Sequence, residues 1–139
     1  MKEIEIPGVP IPLHRPRACR RGSFIRMYND QEKIMSQYRS QMRELFNNSP
    51  YPLPSHIPVH VEIFFYFPIV KGTSKVRTRQ MLDGILTHVK RPDVDNCTKL
   101  FLDCMNGIVY QDDSQVTKLT AEKLFGIVPK TVIRVTSPI

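Results

Sequence analysis

Arg91 to Val116 reads RPDVDNCTKLFLDCMNGIVYQDDSQV, and within it Cys97, Leu100, Phe101, Cys104 and Met105 fall at i, i+3, i+4, i+7 and i+8. That spacing lines one side of an amphipathic helix ending near Gly107, and it makes the two cysteines core residues. The polar positions of the same stretch carry Asp93, Asp95, Lys99 and Asp103, and the turn that follows carries Asp112 and Asp113. A chain of net charge +7 that gathers acids in one place has a use there for a cation.

Periodicity organises the rest of the chain. Glu3, Ile4, Glu5 and Ile6 alternate as a first strand, and Val59, Val61, Ile63, Phe65 and Phe67 give a longer one with an unbroken apolar face. Between them, Ile34, Tyr38, Met42, Leu45 and Phe46 recur at helical spacing, with Asn29 and Glu32 in the spacing of a capping box ahead of them. This helix ends near Asn47, and Pro50, Pro52 and Pro54 make a rigid connection. Thr73 to Val89 reads as a mobile basic insertion with a weak helical face at Met81, Leu82 and Ile85. Val116–Phe125 and Lys130–Thr136 are β-rich runs separated by Gly126 and Pro129, the pattern of a closing antiparallel hairpin. The order β, α, β, weak α, α, β, β shows no repeat. It is expected to form one domain over 1–139 with the insertion at about 71–90.

Composition bounds the function. Hydrophobic residues make up 41% and charged residues 24%, ordinary for a globular chain and unlike a disordered one. MKEIEIP has acids where a secretory signal has a basic and then an apolar region. The apolar run from Ile63 to Val70 is far too short to span a bilayer, so no membrane association is expected. Three cysteines, without zinc-type spacing to one another or to histidine, fit a reducing cytoplasm, bacterial or that of an infected host. His14, His56, His60 and His88 have no metal-ligand spacing either, and no nucleophilic triad surrounds Ser23 or Cys19.

A pI of about 9.5 points to a polyanionic partner. Arg15, Arg17, Arg20, Arg21 and Arg26 crowd one segment, and Lys71, Lys75, Arg77, Arg79, Lys90 and Arg91 fill or flank a second. Taken singly each is a solvated loop. Beside a carboxylate site, the two together read as phosphate contacts on nucleic acid.

In an extended segment after Pro92, Asp93 and Asp95 would point to the same side and both reach one ion. Mg²⁺ takes hard oxygen ligands and usually one or two carboxylates, the remainder being water and substrate phosphate. Asp112 and Asp113 are candidates for a further ligand. Lys99, one helical turn beyond Asp95, is placed to stabilise charge on a phosphoryl group, and Asn96 to orient a carboxylate. Plainer readings stand beside these: Asp93 or Asp95 as a helix N-cap, Lys99 as an i, i+4 partner of Asp95 or Asp103, and Asp112–Ser114 as turn residues.

The segment resembles the signature of the RusA family of Holliday junction resolvases: a basic residue, Asp-x-Asp-Asn at 93–96, Lys99 four after the second Asp, Asp103 in the helix, then Gly107 and Asp-Asp-x-Gln-Val at 112–116. The resemblance implies an α+β fold with a small mixed sheet of about four strands and helices packed on it. It also implies a homodimer of phage type that nicks a four-way DNA junction at symmetric positions with Mg²⁺, Mn²⁺ being an open alternative. The resemblance implies that Asp93, Asp95 and Asp113, with Asp112 as the alternative of its pair, match the family's metal-binding acids, and that Lys99 matches its catalytic lysine. Two other functions remain open on the residues alone: a metal nuclease acting on a flap or on RNA, and a basic DNA-binding protein whose acids only cap helices.

Overall fold

Alternating apolar residues build the central strands, and the apolar stripe of one helix closes over them. In the computed structural model, residues 1–14, 17–22, 24–28 and 31–138 are described, with the backbone alone for 17–19, 21 and 24–28. Four strands form one mixed sheet: β1 (Lys2–Pro7), β4 (Val59–Pro68), β5 (Val116–Gly126) and β6 (Lys130–Thr136), in the order β1-β6-β4-β5. Three helices accompany it: α1 (Glu32–Leu45), α2 (Lys75–Leu82) and α3 (Val94–Cys104). The fold is α+β, and the sheet is mixed because β5 runs parallel to β4 while β6 and β1 run antiparallel to their neighbours.

Val59, Val61, Ile63, Phe65 and Phe67 all turn one way from β4 and are buried. Against that face lie Cys97, Leu100, Phe101 and Cys104 of α3, buried as their spacing requires. Phe101 sits at the centre, its ring 5.9 Å from Phe65 and stacked on Tyr38 of α1 at 5.3 Å. From α1, Tyr38, Met42 and Phe46 enter the core, while Leu45 stays partly exposed at 38%. Arg39 joins the two helices, donating to the carbonyls of Asp103 and Asn106 at the C-terminal end of α3. The opposite sheet face is covered by cations over aromatic rings: Arg134 over Phe64 and Lys130 over Tyr66. The outward Glu3 and Glu5 of β1 pair with those same cations at 2.7 and 3.0 Å. Their alternation with Ile4 and Ile6 is thereby accounted for.

Four expectations are corrected. Val116–Phe125 and Lys130–Thr136 are not a hairpin, because β4 lies between β5 and β6 and pairs with both. The link at 127–129 crosses the end of β4, where Pro68 stops the strand. Gly126 lets it pass, since a Cβ there would meet the Tyr66 ring at 3.1 Å. The arginine-rich segment is not a plain loop either: β2 (Arg17–Arg21) and β3 (Phe24–Tyr28) pair antiparallel, with Gly22 at φ +60 where they turn. Gln31 occupies the N-cap of α1 without a capping bond, and Asn29 lies outside the described residues. Within the insertion, Lys75–Leu82 is a regular helix capped by Ser74, which accepts from the Arg77 amide, and the helix buries no residue.

Phe101→Ala should lower unfolding stability by about 3–5 kcal/mol, because the cavity it leaves opens between three elements that cannot collapse together. Guanidinium unfolding monitored by circular dichroism measures this. A loss under about 1 kcal/mol would mean that α3 does not pack on β4 as described.

Candidate active site

α3 begins where an irregular strap, residues 88–92, delivers the chain to the sheet. Asp93 takes the N-cap position with extended backbone (φ −71, ψ 143), yet its side chain makes no capping hydrogen bond. Asp95 lies in the first helical turn and is exposed, as are Asp93, Asn96 and Lys99. The two acids are therefore not on one side of an extended strand, because the chain turns helical at Val94. Both remain close enough to Cys97 to act on its thiol: burial pushes the Cys97 pKa up to about 11, Lys123 opposes this, and Asp93 and Asp95 add to it. Among the described residues, neither acid has an ion-pair partner within 4.0 Å.

Along α3, Asp95, Lys99 and Asp103 succeed one another at single-turn spacing, so the row from Asp95 to Asp103 extends about 12 Å. Asp95 and Lys99 border a shallow groove between α3 and β5 whose floor is Val94, Leu102, Leu119 and Ala121. At the start of the helix, a second groove is lined by Asp93, Asn96, Arg91, Pro92 and Pro12. The segment before β2 crosses there. Leu13 donates to the Asn96 carbonyl, and Gln31 ties Pro12 and His14 together through its side-chain amide. The chain on either side of the β2–β3 pair, at Pro12–His14 and at Gln31, is thus tied together, with Leu13 fastened beside the acids.

Asp112 and Asp113 have separate surroundings. Asp112 caps the 3-10 turn Asp113–Gln115, accepting from the Ser114 amide at 3.0 Å, and its hydrogen bonds with Ser114 hold its carboxyl below the usual range. Gln115 completes the box: its side-chain oxygen accepts from the amides of Gln111 and Asp112, while its nitrogen donates to the carbonyls of Pro54 and Ile57. Among the described residues Asp113 makes no such bond, and it stands near Asp103. Burial first, and then Asp113, push the Asp103 carboxyl above its ordinary value, with Lys99 drawing it back. Beneath them Tyr110 is fully buried, its hydroxyl donating to the Leu102 carbonyl at 2.7 Å, and burial and then Asp113 raise its pKa.

Asp93, Asp95 and Asp113 do not form a ready-made three-acid cage: among the described residues, no three His, Cys, Asp or Glu side chains stand together to hold a metal ion. Asp113 belongs to the Lys99–Asp103 end of the row. The Asp93–Asp95 end still fits a hard divalent cation, since its carboxylates are exposed and uncommitted and Mg²⁺ needs only one or two from the protein. Of the basic residues, Lys71, Lys75, Arg77, Arg79, Lys90 and Arg91 are exposed, and Arg79 pairs with Asp83 at 3.1 Å. Arg20 is exposed and donates to the Gly22 carbonyl; Arg15 lies outside the described residues, and Arg17 and Arg21 are placed by backbone in β2. Two residues of the site were not singled out by sequence reasoning. Gln115 was visible only as part of a motif, and Lys123 looked like any other polar residue of a half-exposed strand.

A family model described as endodeoxyribonuclease RusA matches residues 7–136. An uncharacterized protein of Bacillus subtilis (strain 168), YqaN, is 29% identical over 131 residues, covering 92% of this chain and 90% of that protein.

Asp103 gives the site a pH signature. Its folded-state pKa lies above its unfolded value, so its contribution to stability is full below the ordinary aspartate value of 3.8 and is lost as pH rises through the folded pKa. Asp103→Asn should therefore stabilise the chain at neutral pH, and the gain should vanish as pH falls below about 4. Thermal unfolding of both proteins across pH 3 to 8 measures the difference, and a gain independent of pH would exclude this origin.

Proposed function

The chain belongs to the RusA endodeoxyribonuclease family, and from that membership and the geometry of α3 we propose that it is a Mg²⁺-dependent endonuclease resolving four-way DNA junctions. The observation that carries the reading is Asp93, which occupies a helix N-cap without using its carboxylate to cap. An acid kept for helix stability would accept from the first-turn amides, since that bond is the source of the capping gain. Asp93 instead presents an open carboxylate two residues before Asp95, and these two residues would hold the metal. Bound there, Mg²⁺ would supply Lewis acidity toward the scissile phosphate.

The remaining steps fall to the chain itself. Lys99, exposed and one turn from Asp95, bears on the phosphoryl oxygens as negative charge develops. Asp113 is the third acid of the proposal, standing beside Asp103 at the far end of the row. The arginine hairpin, joined to α3 through Leu13 and Asn96, and the basic insertion approach the DNA from the two ends of the strap, holding arms by their phosphates. Leaving two intact duplexes requires one cut on each of two symmetric strands, which a homodimer with a two-fold axis provides. Among the described residues no helix is long and apolar enough to cross a membrane, and the proposed place of action is the cytoplasm.

The test is cleavage of an end-labelled four-way junction against the matching linear duplex, a flap and an RNA hairpin, with Mg²⁺ or EDTA. Wild type should nick the junction at paired symmetric positions only with Mg²⁺. Asp93→Asn and Asp95→Asn should lose at least about 100-fold in rate while still binding the junction. Preferred cutting of flap or RNA would replace the substrate, and binding without cutting under every condition would make the chain a DNA-binding protein.

A further inference from the structure

Asp93 has to be held by something other than α3. The strap that carries it has no regular secondary structure, and the capping bond that would fix it to the helix is not made. Two fastenings from the sheet take over. At the start of the strap, the His88 ring stacks on Phe67 of β4, with centroids 4.0 Å apart and planes at 13°, and Phe125 of β5 meets it edge-on at 5.4 Å. At its end, Lys123 of β5 donates from Nζ to the Lys90 carbonyl at 2.7 Å and to the Pro92 carbonyl at 2.9 Å. Its ammonium also lies 5.8 Å from the centre of the Phe67 ring, so a single aromatic residue backs both fastenings.

A strand lysine normally keeps its head in water, because the ammonium is strongly hydrated. Here it is turned onto two backbone carbonyls, one of them on the residue directly before Asp93. It neutralises neither acid, since among the described residues it makes no ion pair with Asp93 or Asp95. The cation thus fixes the backbone beneath the acids and leaves their oxygens open to a ligand. Its position is set by β5, which is paired along its length with β4, the central strand.

We propose that Lys123 is a positioning residue for the nuclease site: through the carbonyls of Lys90 and Pro92 it clamps the strap and fixes where the Asp93 carboxylate stands. This rests on the endonuclease reading above. Displacing a reacting group by about 1 Å is enough to cost on the order of 100-fold in rate, and among the described residues the fastening left to the strap without the clamp is the one at His88.

Lys123→Met keeps the aliphatic stem and removes the ammonium, and Lys123→Arg restores two donors. Hydrogen exchange of amides 88–95, read by mass spectrometry, should quicken in Lys123→Met while the sheet and the core of α3 keep their protection. Single-turnover junction cleavage with Mg²⁺ should fall about 100-fold with junction affinity unchanged, and Lys123→Arg should regain most of the rate. Unchanged exchange at 88–95, a wild-type rate, or loss of protection throughout the chain would each overturn the proposal, the last by making Lys123 a residue of the fold as a whole. A wild-type protein that cuts no junction sinks the nuclease reading, and the exchange experiment still decides whether the clamp exists.

Discussion

Everything in this molecule depends on one face of α3 lying against one face of β4. Burying Cys97, Leu100, Phe101 and Cys104 on Val61, Ile63 and Phe65 fixes the rotation of the helix about its axis. Once the apolar stripe is inward, Asp95, Lys99 and Asp103 can only be outward, at the spacing the helix imposes. The same burial places the strap at one end of β5 and the acidic turn at the other, because the chain has to leave β4 and return parallel to it. The chemistry of the site thus follows from hydrophobic packing on the opposite side of one helix.

That dependence explains what could be read in advance. α3, β1 and β4 are defined by local periodicity, and the apolar residues their spacing selects are buried; the exception is Thr98 of α3, a polar residue that is buried with its hydroxyl donating to the Val94 carbonyl. Tyr38, Met42 and Phe46 of α1 were legible for the same reason, whereas Leu45, at an equally regular position, is left partly exposed beyond the edge of the packing. Sheet order was not legible. Two β-rich runs joined by three residues look identical whether they pair with each other or straddle a third strand, and only the meeting of Gly126 with Tyr66 and the stop at Pro68 distinguish the two. The hairpin Arg17–Tyr28 was hidden by its arginines, which drew attention as charge and obscured the alternation around Gly22.

The site divides along similar lines. Residue types and spacing singled out Asp93, Asp95, Lys99, Asp112 and Asp113, but not which of them carry structural duties. Asp112 and Gln115 cap a turn and tie it to the chain at Pro54 and Ile57, whereas Asp93 occupies a capping position and does not cap. Those differences lie in side-chain hydrogen bonds, which a sequence does not encode locally. Lys123 was out of reach for a related reason: its partners are backbone carbonyls more than thirty residues away, and carbonyls have no residue identity to recognise.

α2 makes a contrast with α3. Because it buries none of its side chains, exchanges across Lys75–Leu82 alter helix propensity and surface charge, each a matter of tenths of a kcal/mol, and leave the core untouched. The carboxylate row enjoys no such freedom, being tied to the packing behind it. One chain therefore contains two kinds of tie to the fold: a chemical centre that moves with the packing behind it, and a basic helix whose charges serve the proposed hold on DNA phosphates while the stability of the core does not depend on them.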